Sequence, residues 1–213
     1  MGQERAADPM RDMEPLDSQL RFLIEADQLK TVLRQSTLMD VSRRENSAEH
    51  SWHLALMALV LQGHAPEGTD IGRVSAMVLL HDLVEIDAGD LFLYAGAEAQ
   101  ARQEVAEHAA ADRIFALLPA PQAAAFRALW DEFEERGTRE AKFARALDRL
   151  QPMLVNYQTG GGTWLAHGVT ADQVLLRVAL IEDGSATLGE YARDLIARSV
   201  ARGFLAPAPD PAP

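Results

Sequence analysis

Leu79-Leu80-His81-Asp82-Leu83-Val84-Glu85 sets a histidine, an aspartate and a glutamate into an otherwise apolar run. Upstream, Ile71, Val74 and Val78 mark one face of a helix, and the same period of about 3.6 residues carries that face onto His81, Asp82 and Glu85. At about 100° per residue, with His81 at zero, Asp82 falls at about 100° and Glu85 at about 40°, so the three can line one small cavity. Burying a bare carboxylate costs several kcal/mol, so a pair of them beside an imidazole implies a compensating cation or a salt bridge. A divalent metal meets that need, and its remaining ligands must come from elsewhere in the chain.

The chain has 213 residues, enough for one domain with a sizeable core, and its 48% hydrophobic and 24% charged content is that of an ordinary globular protein. With no cysteine, disulfides, thiolate zinc sites and cysteine nucleophiles are excluded, and any metal is held by nitrogen and oxygen. A net charge of -12 opposes binding to a nucleic-acid polymer, whereas a small anionic substrate remains compatible because a local metal can outweigh the global field. No run reaches the roughly 20 apolar residues of a membrane span, and the first residues lack the apolar centre of a secretory signal. A cytoplasmic protein without membrane contact is expected.

Read along the chain, residues 1–15 form a loose tail and Asp17 opens a helix whose apolar positions Leu20, Leu23, Ile24 and Leu29 lead to Val32 and Leu33. A polar connection over 35–46 follows. Asn46-Ser47-Ala48-Glu49 fits a capping box, so a helix begins at about Ser47 with His50, His53, Leu54, Met57 and Leu61 on its buried stripe. Asp70 caps a second core helix running through the opening motif to about Ile86, where Asp87, Gly89 and Asp90 break it. Asp90 reads first as turn chemistry, yet it follows Glu85 closely enough to overhang the same cavity. Helices are expected over 97–118 and 122–136, then from Thr138 through Leu147 and Leu154 to Tyr157. Asp148 on that last helix reads by itself as an exposed partner of Arg145 or Arg149, but Pro152 cannot bond back to the carbonyl of residue 148, and a kink is expected there. Gly160-Gly161-Gly162 reads as a hinge or loop, and helices over about 171–182 and 185–202 precede a proline-rich tail at 205–213. With no period of two anywhere, the chain reads as all-α, a single domain over 16–204 with its core at about 20–157.

The candidates His50, His81-Asp82 and Asp148 lie in an order that resembles the H...HD...D pattern of the HD-domain phosphohydrolase superfamily. Arg43-Arg44-Glu45-Asn46-Ser47-Ala48-Glu49-His50-Ser51 and His81-Asp82-Leu83-Val84-Glu85-Ile86-Asp87-Ala88-Gly89-Asp90 are similar to the subgroup containing 5'-deoxynucleotidases, and the likeness spans roughly Leu20 to Tyr157. The resemblance implies a helical bundle with one divalent ion at its centre (Mn, Co, Fe, Zn, Ni or Mg), held by His50, His81, Asp82 and Asp148. It implies release of phosphate from nucleoside or deoxynucleoside 5'-monophosphates by water activated at that ion. Glu85 and Asp82 would be catalytic, Glu85 in proton transfer, Asp90 would contact the sugar, Arg34 would orient the phosphate, and Arg43 matches the motif arginine. Relatives suggest a homodimer. Gln35 stands where the bacterial deoxynucleotidases place a tryptophan. Two alternatives share the scaffold: a di-iron oxygenase, which needs further histidines between His81-Asp82 and Asp148, where this chain has only His108, so that a single metal is preferred although His53 and His108 keep a second metal open, and a non-catalytic nucleotide sensor, against which Glu85 and Asp90 argue.

Overall fold

The computed structural model describes residues 14–209, and the fold grows from α2 (Ser47–Val60), whose start is set by a reciprocal cap. The Asn46 side chain accepts from the Glu49 amide at 2.9 Å, and the Glu49 carboxylate accepts from the Asn46 amide at 3.2 Å, satisfying two otherwise orphaned donors. Against α2 packs α3 (Ile71–Leu80), opened by the Asp70 side chain accepting from the Arg73 amide at 3.1 Å. Helix α7 (Arg139–Gln158) crosses both, and α9 (Ala171–Gly184) and α10 (Ala186–Ala201) close the far side. Leu54, Val74, Leu147, Val178 and Leu195, all fully buried, form the centre of this main core. A smaller core gathers Phe22 of α1 (Glu14–Ala26), Leu29, Leu80, Ile114 and Phe115 of α5 (Ala97–Phe115) and Trp130 of α6 (Ala120–Glu135).

The opening motif lies on the seam between the two cores: Met77 and Val78 face the larger, Leu80, Leu83 and Val84 the smaller. The expected continuous helix to Ile86 is broken up. α3 ends at Leu80, a 3-10 turn covers His81–Val84, and the short α4 is Glu85–Ala88. Because 3-10 winding stacks residue i over i+3, Glu85 comes to lie over Asp82 rather than between His81 and Asp82.

Other expectations are corrected by the tertiary structure. The polar connection contains a hairpin, β1 (Leu33–Thr37) antiparallel to β2 (Arg44–Asn46), with Leu33 opposite Asn46 and Thr37 opposite Arg44. Both strands are short and polar, so no alternation announces them. In α1 it is Phe22 that is buried, while Leu20, Leu23 and Ile24 are exposed, because only the Phe22 side of the helix meets the smaller core. Asp148 is buried, as a ligand would be, with Arg145 and Arg149 beside it, while the kink expected at Pro152 does not interrupt α7. The triple glycine is a packed turn rather than a hinge: Gly160, Gly161 and Gly162 all have positive φ, and a Cβ at Gly161 would meet Leu165 and the Phe204 carbonyl at 2.6 Å. The C-terminal tail is anchored at its start, with Leu205 buried and Ala206 bridged to Thr170. The N-terminal tail falls outside the described residues except for Glu14 and Pro15, which belong to α1, and residues 210–213 of the C-terminal tail also lie outside them.

Candidate metal centre

Two helices, α2 and α7, and the 3-10 turn converge on one point. His50 projects from the first turn of α2 and is fully enclosed, its Nε2 lying 3.2 Å from Asp148 Oδ1 of α7. His81 Nε2 lies 3.8 Å from the same oxygen and 2.9 Å from Asp82 Oδ1. One donor atom from each of His50, His81 and Asp148 falls within 4.8 Å of the others. Ligand bonds of about 2.0–2.2 Å to a shared ion leave neighbouring donor atoms about 3 to 3.5 Å apart, so these spacings suit a common cation.

The imidazole hydrogen bonds sharpen the fit. His81 Nδ1–H donates to the Val78 carbonyl at 2.9 Å, which leaves the lone pair on Nε2, and that buried atom has no hydrogen-bond partner among the described residues. His50 Nδ1 faces Gln151 Oε1 at 3.2 Å, and donation to that acceptor likewise turns the Nε2 lone pair toward the cluster. Imidazoles fixed through the second nitrogen are the usual condition of metal-binding histidines. Two such lone pairs beside buried carboxylates fit a divalent transition ion.

The sequence family agrees with this geometry, for the HD-domain family model matches residues 26–188. The chain belongs to the HD-domain family. Human 5'-deoxynucleotidase HDDC2 is 31% identical over 140 residues, covering 64% of this chain and 66% of that protein. The Bos taurus 5'-deoxynucleotidase HDDC2 is 32% identical over 138 residues, covering 63% and 64% respectively, so the match spans just under two thirds of these relatives' own length. A crystallised predicted metal-dependent phosphohydrolase of Magnetospirillum magnetotacticum MS-1 is 53% identical with a TM-score of 0.86, over 91% of this chain and 99% of that one. A conserved hypothetical protein of Pyrococcus furiosus, 21% identical at a TM-score of 0.61 over 85% and 99%, shares the fold.

Around the HD ligands the charges are closely balanced. Burial and the nearby Arg34 push the His50 imidazole down to about 4, keeping it neutral. Burial opposes charge on His81 too, but the Asp82 and Asp148 carboxylates outweigh it and push that imidazole up to about 10. A proton and a metal ion therefore compete for the same Nε2. Burial would raise Asp148, yet Arg149, His50 and His81 hold it well below the usual carboxylate range. Glu85 moves the other way: burial, then the charge of Asp82, pushes its carboxyl well up, and the Ser47 hydroxyl donates to its Oε2 at 2.6 Å. Burial raises Asp90 as well, and pushes Glu45 up to about 7.

The HD site opens into a cavity of about 440 Å³, within the range of small-molecule sites, and its walls include His81, Asp82, Glu85, Asp90 and Arg34. Arg34, carried in by β1, lies 3.1 Å from Asp82 and 3.6 Å from Asp90. Arg43 does not line the cavity: it sits on the surface, where its guanidinium grips both oxygens of Glu49 and helps hold the cap of α2. His53 is half-buried beside Gln151, and His108 stands edge-on to Trp130; neither joins the ligand group. Sequence reading passed over Gln151, Ser47, Glu45 and Arg149. Gln151 was within reach, since i to i+3 places it on the Asp148 face of α7. Ser47 carries no such signal, because its partner Glu85 is remote in sequence.

Proposed function

We propose that this HD-domain protein is a metal-dependent phosphohydrolase that releases phosphate from nucleoside or deoxynucleoside 5'-monophosphates. The observation that carries the reading is the convergence of His50, His81 and Asp148 within 4.8 Å, with His81 Nδ1 fixed by Val78 and its buried Nε2 left without a hydrogen-bond partner among the described residues, beside a nucleotide-sized cavity. The names of the HDDC2 relatives and of the Magnetospirillum structure support it. His50, His81, Asp82 and Asp148 would hold one divalent ion, with manganese, cobalt, iron, zinc, nickel and magnesium as the candidates. When bound, such an ion supplies Lewis acidity, polarising phosphoryl oxygens and lowering the pKa of water.

The remaining steps belong to the chain. Glu85 keeps its proton because it is buried beside Asp82, and Ser47, whose hydroxyl lies 2.6 Å from Oε2, holds the carboxyl in place. It is thereby suited to protonate the departing 5' oxygen as the P–O bond breaks, with a nucleoside alcohol leaving. Asp90, on the cavity wall, is placed to accept from a sugar hydroxyl. The buried ligand cluster keeps bulk water from competing for these hydrogen bonds.

Phosphate release from a panel of ribo- and deoxyribonucleoside 5'-monophosphates, with manganese, cobalt or magnesium added to stripped protein, tests the reading. Release that is restored by metal and abolished by chelator is expected; no release with any metal and any nucleotide would remove it. Action as a homodimer in the cytoplasm completes the proposal. Exposed Trp52, Val60 and Leu176 offer apolar surface for a second copy, and no helix among the described residues is long and apolar enough to cross a membrane. Light scattering of the purified protein and cell fractionation check the two points.

A further inference from the structure

The arginines around the cavity differ in how fully they are engaged. Arg34 is engaged through its terminal nitrogen, with Nη1 3.1 Å from Asp82 and 3.6 Å from Asp90, while its Nε, 3.7 Å from Glu45, is without a hydrogen bond among the described residues, as are the Nε atoms of Arg145 and Arg149, so that the difference lies in the terminal nitrogens. Arg145 is engaged too, donating to both Glu134 oxygens at 2.9 Å while its guanidinium lies 4.1 Å over the Phe133 ring. Arg149 is different. It follows Asp148 on α7, its Nε is enclosed without a hydrogen bond, and the nearest carboxylate oxygen, Asp148 Oδ2, is 3.7 Å away. Its two terminal nitrogens also hydrogen-bond to nothing among the described residues, yet they are not sealed in, for the side chain is 21% exposed and lines the cavity.

A guanidinium presents parallel N–H donors matched to two oxygens of a phosphate, and leaving such donors unpaired in a partly desolvated site is costly unless an anion completes them. Arg177 also lines the cavity, bonded among the described residues to the Leu93 carbonyl at 3.2 Å and ion-paired with no carboxylate among them, and adds positive field. Around Arg34, by contrast, three carboxylates leave a corner that repels a dianion.

We propose that Arg149 is the clamp for the phosphoryl group of the substrate, and that Arg34 instead ties Asp82, Asp90 and Glu45 into one network. The identity of the anion as a phosphate monoester rests on the hydrolase reading; the open fork of donors does not.

Inorganic phosphate is the probe. Its binding to the metal-loaded protein is measured by calorimetry for wild type, Arg149→Gln and Arg149→Lys, with metal affinity and melting temperature recorded for each. Loss of a charge-assisted pair in the glutamine variant should weaken phosphate by about 10–100-fold, with metal affinity and melting temperature unchanged and partial recovery in the lysine variant. Unchanged phosphate affinity in Arg149→Gln overturns the clamp. So does a fall in metal affinity that parallels the fall in phosphate, since Arg149 would then act by holding Asp148. A wild-type protein that binds no phosphate overturns it as well. Because binding is read without turnover, a protein that binds phosphate but hydrolyses no nucleoside monophosphate refutes the hydrolase reading and leaves the variant comparison decisive.

Discussion

Replacing Gln151 by leucine removes one buried amide and, with it, the device that sets the His50 tautomer. In the native structure Gln151 Oε1 faces His50 Nδ1 at 3.2 Å, and its Nε2 donates to Glu45 Oε1 at 3.0 Å, all within an enclosed layer between α2, α7 and β2. Leucine has a similar shape, so the main consequence is that two buried polar groups lose their partners. Each orphaned group costs about 1–3 kcal/mol, so the destabilisation should be about 2–6 kcal/mol, a large share of a typical domain stability of about 5–15 kcal/mol. At about 2–4 °C per kcal/mol for a chain of this size, the melting temperature should drop by about 4–24 °C. Metal affinity should fall by about 10–100-fold, since nothing then prevents the proton from moving to His50 Nε2, the atom that faces Asp148. Thermal unfolding in chelator isolates the first effect and metal titration at a fixed pH the second. Gln151→Glu keeps an acceptor for His50 and should retain more metal affinity than Gln151→Leu. If the leucine variant binds metal as tightly as wild type, the amide does not orient His50 and the argument fails.

Three further outcomes follow from the same site. Glu85→Gln should lower turnover by about 10²–10⁴-fold while metal still binds, as measured by steady-state rates beside metal titration; normal turnover would remove Glu85 from the mechanism. His81 has a folded pKa of about 10, above the roughly 6.5 of an unfolded histidine, so its contribution to metal-free stability is fully present below about pH 6.5 and is lost as pH rises toward about 10. The melting temperature in chelator should therefore decline over that window, and apparent metal affinity, which requires displacing that proton, should rise by about one log unit per pH unit between pH 7 and 10; a flat metal profile would contradict the assignment. Leu147→Ala, in the centre of the main core, should cost about 2–5 kcal/mol by denaturant unfolding, and a cost below about 1 kcal/mol would mean that α7 repacks freely around the cavity.

The sequence alone determined the helical class, the starts of α2 and α3, and the chemical types of the four proposed ligands. Those features are written locally: a capping box spans four consecutive residues, an amphipathic period repeats within one helix, and polar ligand types stand out in an apolar run. The family resemblance then joined His50, His81-Asp82 and Asp148 before any distance was known. Tertiary structure alone decided the hairpin that brings in Arg34, the 3-10 turn that breaks the helix at His81, the Ser47 bond that holds Glu85, the Gln151 bond that sets the His50 tautomer, and the outward placing of Arg43. It also decided which apolar residues of α1 are covered. The physical reason is that burial and pairing depend on what lies opposite. The partner of His50 is Gln151, on another helix, 101 positions along the chain, and no local period records a meeting over that separation.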